Sequence, residues 1–162
     1  MAVTGYSGRQ ILLHWSVAVL IAAQFLLAEG MEEAWRAVRD GGAKVMTTGA
    51  AIHIAIGLAV LALGIWRLAI RLRRGAPSAP AGTSGLQESV ARITHVLLYV
   101  LMIGLPVGGL LAWALESETF AEAHVLGKSV LMILVIVHIL GAVYNQWVLK
   151  NGLIRRMMKA EG

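Results

Sequence analysis

The sequence contains no cysteine. This absence excludes disulfides, iron–sulfur clusters and covalently attached c-type haem, so any metal centre must use histidine, methionine or carboxylate ligands. Charged residues are also scarce, at 14% of the chain against about 25% in soluble domains. This scarcity excludes an ordinary soluble domain. The pI is about 10.1, but the basic residues stand at the ends of apolar runs, so nucleic acid is not expected as a partner.

Long apolar segments are what the sequence has in abundance. Hydrophobic residues make up 58% of it, and its mean hydropathy is +0.74. Four uncharged runs of 19, 22, 23 and 21 residues cover 10–28, 45–66, 93–115 and 129–149. A bilayer core of ~30 Å needs about 20 helical residues, so each run fits one transmembrane helix.

These runs predict an all-α integral membrane four-helix bundle that forms a single domain over residues 1–162. The helices are expected at about 10–28, 47–70, 93–115 and 123–149. The first run is expected to remain as a helix and not to be cleaved as a signal peptide, because it is long for a signal h-region and contains His14.

Basic residues are distributed unevenly among the segments that flank the helices. The N-terminus, the 67–92 segment and the C-terminus hold ten basic residues against two acids, a net charge of about +8. The other two loops hold four basic residues against seven acids, a net charge of −3. The positive-inside rule therefore predicts that both termini are cytoplasmic, in a bacterial inner membrane.

Three segments outside the predicted spans have simple interpretations. The stretch GAPSAPAGTSG (75–85) is expected to be a flexible cytoplasmic connector. The stretch MEEAWRAVRDGG (31–42) predicts a short amphipathic helix at the outer interface, with Trp35 facing the membrane. The stretch LKNGLIRRMMK (149–159) indicates an amphipathic tail on the inner surface.

The histidines carry the candidate chemistry; they are His14, His53, His95, His124 and His138. A polar ring in hydrocarbon is costly unless something satisfies it. The last two are 14 residues apart in one predicted helix. That spacing places their rings on nearly the same face, ~21 Å apart along the axis. It suits two metal centres in different leaflets and is too wide for one shared metal.

Depth in the membrane pairs four of these histidines. His53 and His124 lie near the outer ends of their helices, whereas His14 and His138 lie towards the inside. His95 is also near an inner end and is left without a partner. Two neutral imidazoles that face each other across a helix bundle are the ligands of b-type haem. We therefore predict two bis-histidine haem sites, His14 with His138 inside and His53 with His124 outside.

The carboxylates of a haem need cationic partners near an interface. Arg67, Arg71 and Arg92 stand at inner helix ends and are the predicted partners of the inner haem propionates. Gly57 and Gly64 share one helix face, where a flat macrocycle or another helix can approach closely. The GLPVG run (104–108) predicts helix packing and not cofactor binding.

Each histidine also has a plainer interpretation, as a hydrogen-bonded residue of the membrane interior. Four histidines that pair by depth, two of them on one helix face, favour the haem interpretation over coincidence. The unpaired His95 is expected to make a hydrogen bond, either within the protein core or to a haem propionate, and not to bind iron.

Four motifs together resemble the bacterial cytochrome b561 family of dihaem membrane cytochromes. They are RQILLHW (9–15), AIHIAIGLAVLALGIWRLAIRL (51–72), THVLLYVLMIGLPVGGL (94–110) and the His124/His138 pair followed by WVLKNGLIRRMM (147–158). The resemblance covers nearly the whole chain. It implies two haems b, one held by His14 and His138 and the other by His53 and His124.

The resemblance also implies electron exchange with quinone. One branch of the family oxidises superoxide outside and reduces ubiquinone. In that branch a His-His pair near the end of the fourth helix is implicated in quinone binding, and here the corresponding residues are Asn145 and Gln146. Both can hydrogen-bond a quinone carbonyl, but neither easily carries a proton at neutral pH. The net charge of the outer face also argues against attraction of an anion.

Three functions remain open at this point. The first is an electron-transfer cytochrome in the lipid bilayer, linking the quinone pool to an outer partner such as a basic periplasmic redox protein. The second is a superoxide:ubiquinone oxidoreductase. The third is the cytochrome b anchor of a larger dehydrogenase that has a soluble subunit. Whether the chain is itself an enzyme is left undecided by the sequence.

Overall fold

The computed structural model describes residues 5–160, which form helices and loops without a strand. The long helices are α1 (Gly8–Leu26), α3 (Thr48–Arg74), α4 (Gly85–Leu115) and α5 (Glu118–Val143), and the short ones are α2 (Glu29–Arg39) and α6 (Leu153–Arg156). A π-helical turn, Tyr144–Val148, extends α5. All four long helices are long and apolar enough to cross a membrane. The predicted all-α membrane bundle is therefore confirmed.

The long helices run alternately up and down, with α1 on α3, α3 on α4, and α4 on α5. Residues 5–9, the 75–84 loop and residues 149–160 consequently meet at one end, which we call the termini end. There Gln10 donates to the Gly75 carbonyl (3.0 Å) and Trp15 to the Met157 carbonyl (2.8 Å). The opposite end carries α2 and is called the α2 end.

Helix starts are set by polar caps, whereas the predicted bounds followed the apolar runs. Ser84 caps α4 through a reciprocal hydrogen-bonded box with Gln87, so this helix begins at Gly85, eight residues before the predicted 93. The Thr47 side chain caps α3 by accepting from the Ala50 amide. Hydropathy marks the part of a helix that lies in lipid, and the helix itself extends as far as its caps allow.

Large apolar side chains cover the outside of the bundle, including Leu12, Ile133 and Leu140. A lipid-facing helix surface needs such side chains, because lipid offers polar groups no partner. Inside, Val17, Val60 and Met102 form the central core. Ala34, Ala50 and Trp113 form a second core at the α2 end.

Trp35 differs from its prediction. The helix predicted over 31–42 exists as α2, but Trp35 packs against the Ala34–Ala50–Trp113 core and lines a cavity beside it. It was expected to face the membrane. The structure turns α2 so that Met31, Trp35 and Val38 pack against this core, which removes apolar surface from water.

The 75–85 connector, predicted to be flexible, is fastened at two points. The Gly75 carbonyl accepts from Gln10, and the Ser78 carbonyl accepts from Arg156 at 2.9 Å. The C-terminal tail is held in the same way, since Trp15 donates to the Met157 carbonyl. Loop, tail and α1 thus form one hydrogen-bonded layer at the termini end.

Candidate functional site

At the α2 end, two imidazoles face each other across the bundle. The ring centroids of His53 on α3 and His124 on α5 are 6.3 Å apart, with an angle of 65° between the ring planes. Both side chains line a cavity of about 450 Å³ whose remaining walls are largely apolar. The pairing predicted from depth is the pairing that the fold brings together.

The His124 ring is fixed by α4. Its Nδ1 donates to the Leu105 carbonyl at 2.9 Å, which leaves Nε2 as the nitrogen with a free lone pair. A Cβ at Gly109 would lie only 3.0 Å from Cε1 and Nδ1 of this ring. The GLPVG run and the glycine after it therefore position a candidate ligand. The sequence indicated only packing there, because the run contains no metal-binding side chain.

Gln24 of α1 lies beside His53. Its Nε2 donates to the His53 carbonyl at 3.0 Å, and it packs where a Cβ on Gly57 would come within 3.2 Å. Within residues 5–160, two buried polar atoms here, Gln24 Oε1 and His53 Nδ1, have no hydrogen-bond partner. Buried polar atoms without partners are rare and often mark the place of a bound group. Gln24 was not among the predicted site residues, because one amide in an apolar run carries no spacing signal.

At the termini end, three histidines meet. The ring centroids of His14 on α1 and His138 on α5 are 6.0 Å apart, with an angle of 67° between the ring planes. His95 on α4 lies 5.1 Å from His138 by the same measure. Its Nδ1 donates to the Ala91 carbonyl, one turn earlier, at 2.6 Å. His95 thus has a hydrogen-bond partner within its own helix.

The arginines predicted to bind propionates are placed differently from one another. Arg67 donates from Nη1 to the Gln10 carbonyl at 2.9 Å, and its charge acts on His14, His95 and His138. Arg71 is close enough to act on His95. Arg92 instead pairs with Glu88 at 3.2 Å on an exposed surface. Two of the three therefore lie at the termini-end histidines.

The separations within the two pairs fit a metal ion held between the rings. Metal–nitrogen bonds of about 2.0–2.1 Å on both sides place the imidazole centroids roughly 6–6.5 Å apart. The pairs measure 6.0 and 6.3 Å, whereas the 5.1 Å between His95 and His138 is too short. Across residues 5–160, no group of three or more potential ligands surrounds a point where a bare ion could bind. A pair of histidines suits haem, which would supply the remaining iron ligands from its own ring.

Asn145 and Gln146 lie in the π-helical turn and fasten the tail. Asn145 donates to the Gly141 carbonyl at 2.9 Å and accepts from Asn151 at 2.7 Å. Gln146 accepts from the backbone amide of Ile154 at 3.2 Å. Their side chains therefore hold the start of α6 against the end of α5. A π-helical turn is a frequent feature of functional sites.

Comparisons with known proteins found a family profile and two similar proteins. The sequence profile described as prokaryotic cytochrome b561 matches residues 5–160. The chain is 37% identical over 155 residues to a cytochrome b562 from Cereibacter sphaeroides, covering 96% of each protein. It is 25% identical over 177 residues to a probable superoxide oxidase, CybB, from Yersinia pestis, covering 94% of this chain and 95% of that protein.

Proposed function

This chain belongs to the prokaryotic cytochrome b561 family, and from that premise we propose that it carries electrons across the membrane between two haems b. A cytochrome of this family binds haem b, and four membrane-length helices make the chain a multi-pass bacterial membrane protein. In the proposal, His14 and His138 hold one haem at the termini end, and His53 and His124 hold the other. The main support for this proposal is the distance between ring centroids within each histidine pair, 6.0 Å for His14 and His138 and 6.3 Å for His53 and His124, at two heights of α5.

The residues around each pair have separate tasks. Bound haem supplies reversible one-electron iron chemistry. The Leu105 carbonyl fixes the tautomer and orientation of His124, as hydrogen-bonded neighbours do for metal-binding histidines. Arg67 places positive charge beside the termini-end histidines, where it compensates haem carboxylates. Largely apolar walls surround the α2-end pair, and α5 holds both sites at a fixed separation of ~21 Å along its axis.

Haem content and single-histidine variants test this proposal. The purified wild type should contain about two haems per chain and show b-type α-bands in reduced-minus-oxidised spectra. His124→Ala should lose the α2-end haem alone, and His138→Ala the termini-end haem alone. His95→Ala is the control and should keep both. A wild type without haem contradicts the proposal, and loss of the termini-end haem from His124→Ala contradicts the pairing.

Quinone exchange is proposed at the termini end, beside the His14/His138 pair. Its support is the π-helical turn, which places the amides of Asn145 and Gln146 close to the end of α5. Gln146→Ala should slow haem reduction by a ubiquinol analogue while haem content stays at the wild-type level. Lys159→Gln, an exposed change in the tail, is the control. If Gln146→Ala reduces its haem with quinol as fast as the wild type does, Gln146 is not part of the quinone site.

The cellular setting is part of the same proposal. The chain is placed in the bacterial inner membrane with both termini cytoplasmic, and its α2 end faces a periplasmic redox partner. Its acidic loops suit a basic protein. A soluble dehydrogenase subunit is the other partner class. Copurification of such a subunit in mild detergent would favour the anchor-subunit function.

Superoxide oxidation coupled to quinone reduction is the second candidate. It is favoured by the relative from Yersinia pestis that is named a probable superoxide oxidase. Superoxide-driven quinone reduction by the purified protein tests it directly. Steering of an anion requires rates that fall as salt rises. Rates that are insensitive to salt, and no faster than spontaneous dismutation, would dismiss this candidate.

A further inference from the structure

One face of α2 forms the polar end of the cavity between His53 and His124. Five α2 residues line it, and they recur at the three- and four-residue steps of one helix face; they are Met31, Glu32, Trp35, Arg36 and Arg39. Acids outnumber arginines in the 29–40 segment. Nevertheless both of its arginines line the cavity, whereas Glu29, Glu33 and Asp40 do not.

Charge in the cavity lining is unbalanced. Three basic side chains and one acidic side chain line it, a net charge of +2 at neutral pH; they are Arg36, Arg39, Lys128 and Glu32. The acid, Glu32, forms an ion pair with Lys128, whose Nζ lies 2.9 Å from Glu32 Oε1. Arg36 makes no ion pair among the described residues, and Arg39 has only a loose contact of 3.9 Å with Asp40. The two arginines therefore remain available to an anion.

We propose that Arg36 and Arg39 bind the two carboxylates of the haem held between His53 and His124. The proposal rests on the function proposed above. Haem has an apolar macrocycle and two anionic groups on one edge. This cavity has apolar walls and two guanidinium groups at one end, of which only that of Arg39 has a contact with an acid, the loose one with Asp40. A guanidinium suits a carboxylate because its planar donors can form two parallel hydrogen bonds.

The Lys128–Glu32 ion pair has a separate task, which is to fasten α2 to α5 over this cavity. It joins the acid that lines the cavity, Glu32, to the base that α5 contributes. Lys128 is the main partner of Glu32, through its hydrogen bond and its charge, whereas the charge of Arg36 acts on Glu32 more weakly. The two carboxylates of a bound haem would balance the net charge of +2 that the side chains of the cavity lining contribute.

The test is the Arg36→Gln/Arg39→Gln double variant. Its α2-end haem should dissociate faster than that of the wild type, by about tenfold for each arginine, the change that corresponds to about 1.4 kcal/mol. The midpoint potential of the haem that His124→Ala removes should become more negative, because removal of nearby positive charge disfavours the added electron. The termini-end haem should be unchanged and reports that the variant is folded.

Two variants serve as controls. Glu29→Gln/Glu33→Gln makes the same number of changes on residues of α2 that do not line the cavity, and should leave both haems unaffected. Arg36→Lys/Arg39→Lys keeps the charge, so it should restore most of the potential while the haem still dissociates faster than in the wild type.

The outcomes separate this proposal from the proposed function. A wild type that contains no haem refutes both. A double variant with two haems, wild-type dissociation and unchanged potentials refutes the arginine proposal alone. An equal effect of Glu29→Gln/Glu33→Gln also refutes it, because α2 would then act as a cover without a specific arginine contact.

Discussion

At the scale of single residues, the placement of His124 depends on two groups of α4. The Leu105 carbonyl accepts from its Nδ1 at 2.9 Å, and Gly109 leaves the space into which the ring fits. A histidine that binds a metal is usually held through its second nitrogen in this way. The chemistry of the α2-end site therefore depends on a residue that has no side chain.

Gly109→Ala should disturb this site selectively. The new Cβ would lie 3.0 Å from two atoms of the His124 ring, so the ring has to move. We expect reduced α2-end haem content and an altered α-band, with the termini-end haem retained. Gly108→Ala is the matched control, because a Cβ there meets nothing within 4 Å. Full haem content in Gly109→Ala would show that the ring can shift without loss of the site.

At the scale of elements, α2 crosses α3 at a point where two glycines touch. A Cβ on Gly49 would lie 2.6 Å from Gly30 Cα, and a Cβ on Gly30 would lie 2.7 Å from Gly49 Cα. Backbones can approach this closely only where side chains are absent. The crossing sets the height of α2 over the cavity, and with it the positions of the residues that line the cavity.

Gly49→Ala should force α2 and α3 apart. Overpacking of this kind costs about 1–3 kcal/mol, so we expect a lower melting temperature in detergent and faster loss of the α2-end haem. Gly104→Ala within α4 meets open space and should be neutral or slightly stabilising, since alanine is the better helix former. Equal melting temperatures of the two variants would contradict this view of the crossing.

The Lys128–Glu32 pair should make the attachment of α2 pH-dependent. The hydrogen bond from Lys128, and then its charge, lower the pKa of Glu32 below its ordinary value. A lowered folded-state pKa means that the stabilisation is present above the unfolded value of about 4.3 and is lost as pH falls through the folded value. The melting-temperature difference between wild type and Glu32→Gln should therefore disappear in acid.

The control for this pH dependence is Glu33→Gln, which removes a neighbouring exposed carboxylate that does not line the cavity. Its melting temperature should follow that of the wild type at every pH. Because Glu32 is exposed, the difference at neutral pH should be small and should shrink further in high salt. A difference that persists unchanged in acid would show that the ion pair is not its source.

At the scale of the whole molecule, the two ends of the bundle differ in charge and in construction. The segments of the termini end hold ten basic residues against two acids, and those of the α2 end hold four against seven. Hydrogen bonds among loop, tail and α1 close the termini end. Helix α2 closes the other.

Orientation in the membrane follows from this charge difference. A fluorescent protein fused after Gly162 should be fluorescent, and alkaline phosphatase fused there should be inactive, because both termini are expected in the cytoplasm. Alkaline phosphatase fused after Gly41, in the segment that follows α2, should be active. The opposite pattern at the two positions would contradict the proposed orientation.

The four spans and the two histidine pairs could be predicted from the sequence, because apolar length and depth along a helix are one-dimensional properties. His95 shows the limit of what can be predicted from the sequence. Its depth places it with His14 and His138, but only the rotation of α4 decides that it lies 5.1 Å from His138. The inward turn of Trp35 and the separation of Arg92 from the histidines also depend on how helices rotate and pack.

By itself, the sequence determined a membrane bundle of four helices and the heights at which its histidines lie, because hydropathy and helical rise suffice for both. Only the tertiary structure decided which groups surround each pair. The Leu105 carbonyl, Gly109 and Gln24 carry no signal of their own, and Arg36 and Arg39 line the cavity only because α2 crosses α3 at Gly30 and Gly49. These contacts join residues of different helices, and close packing between helices is fixed in three dimensions.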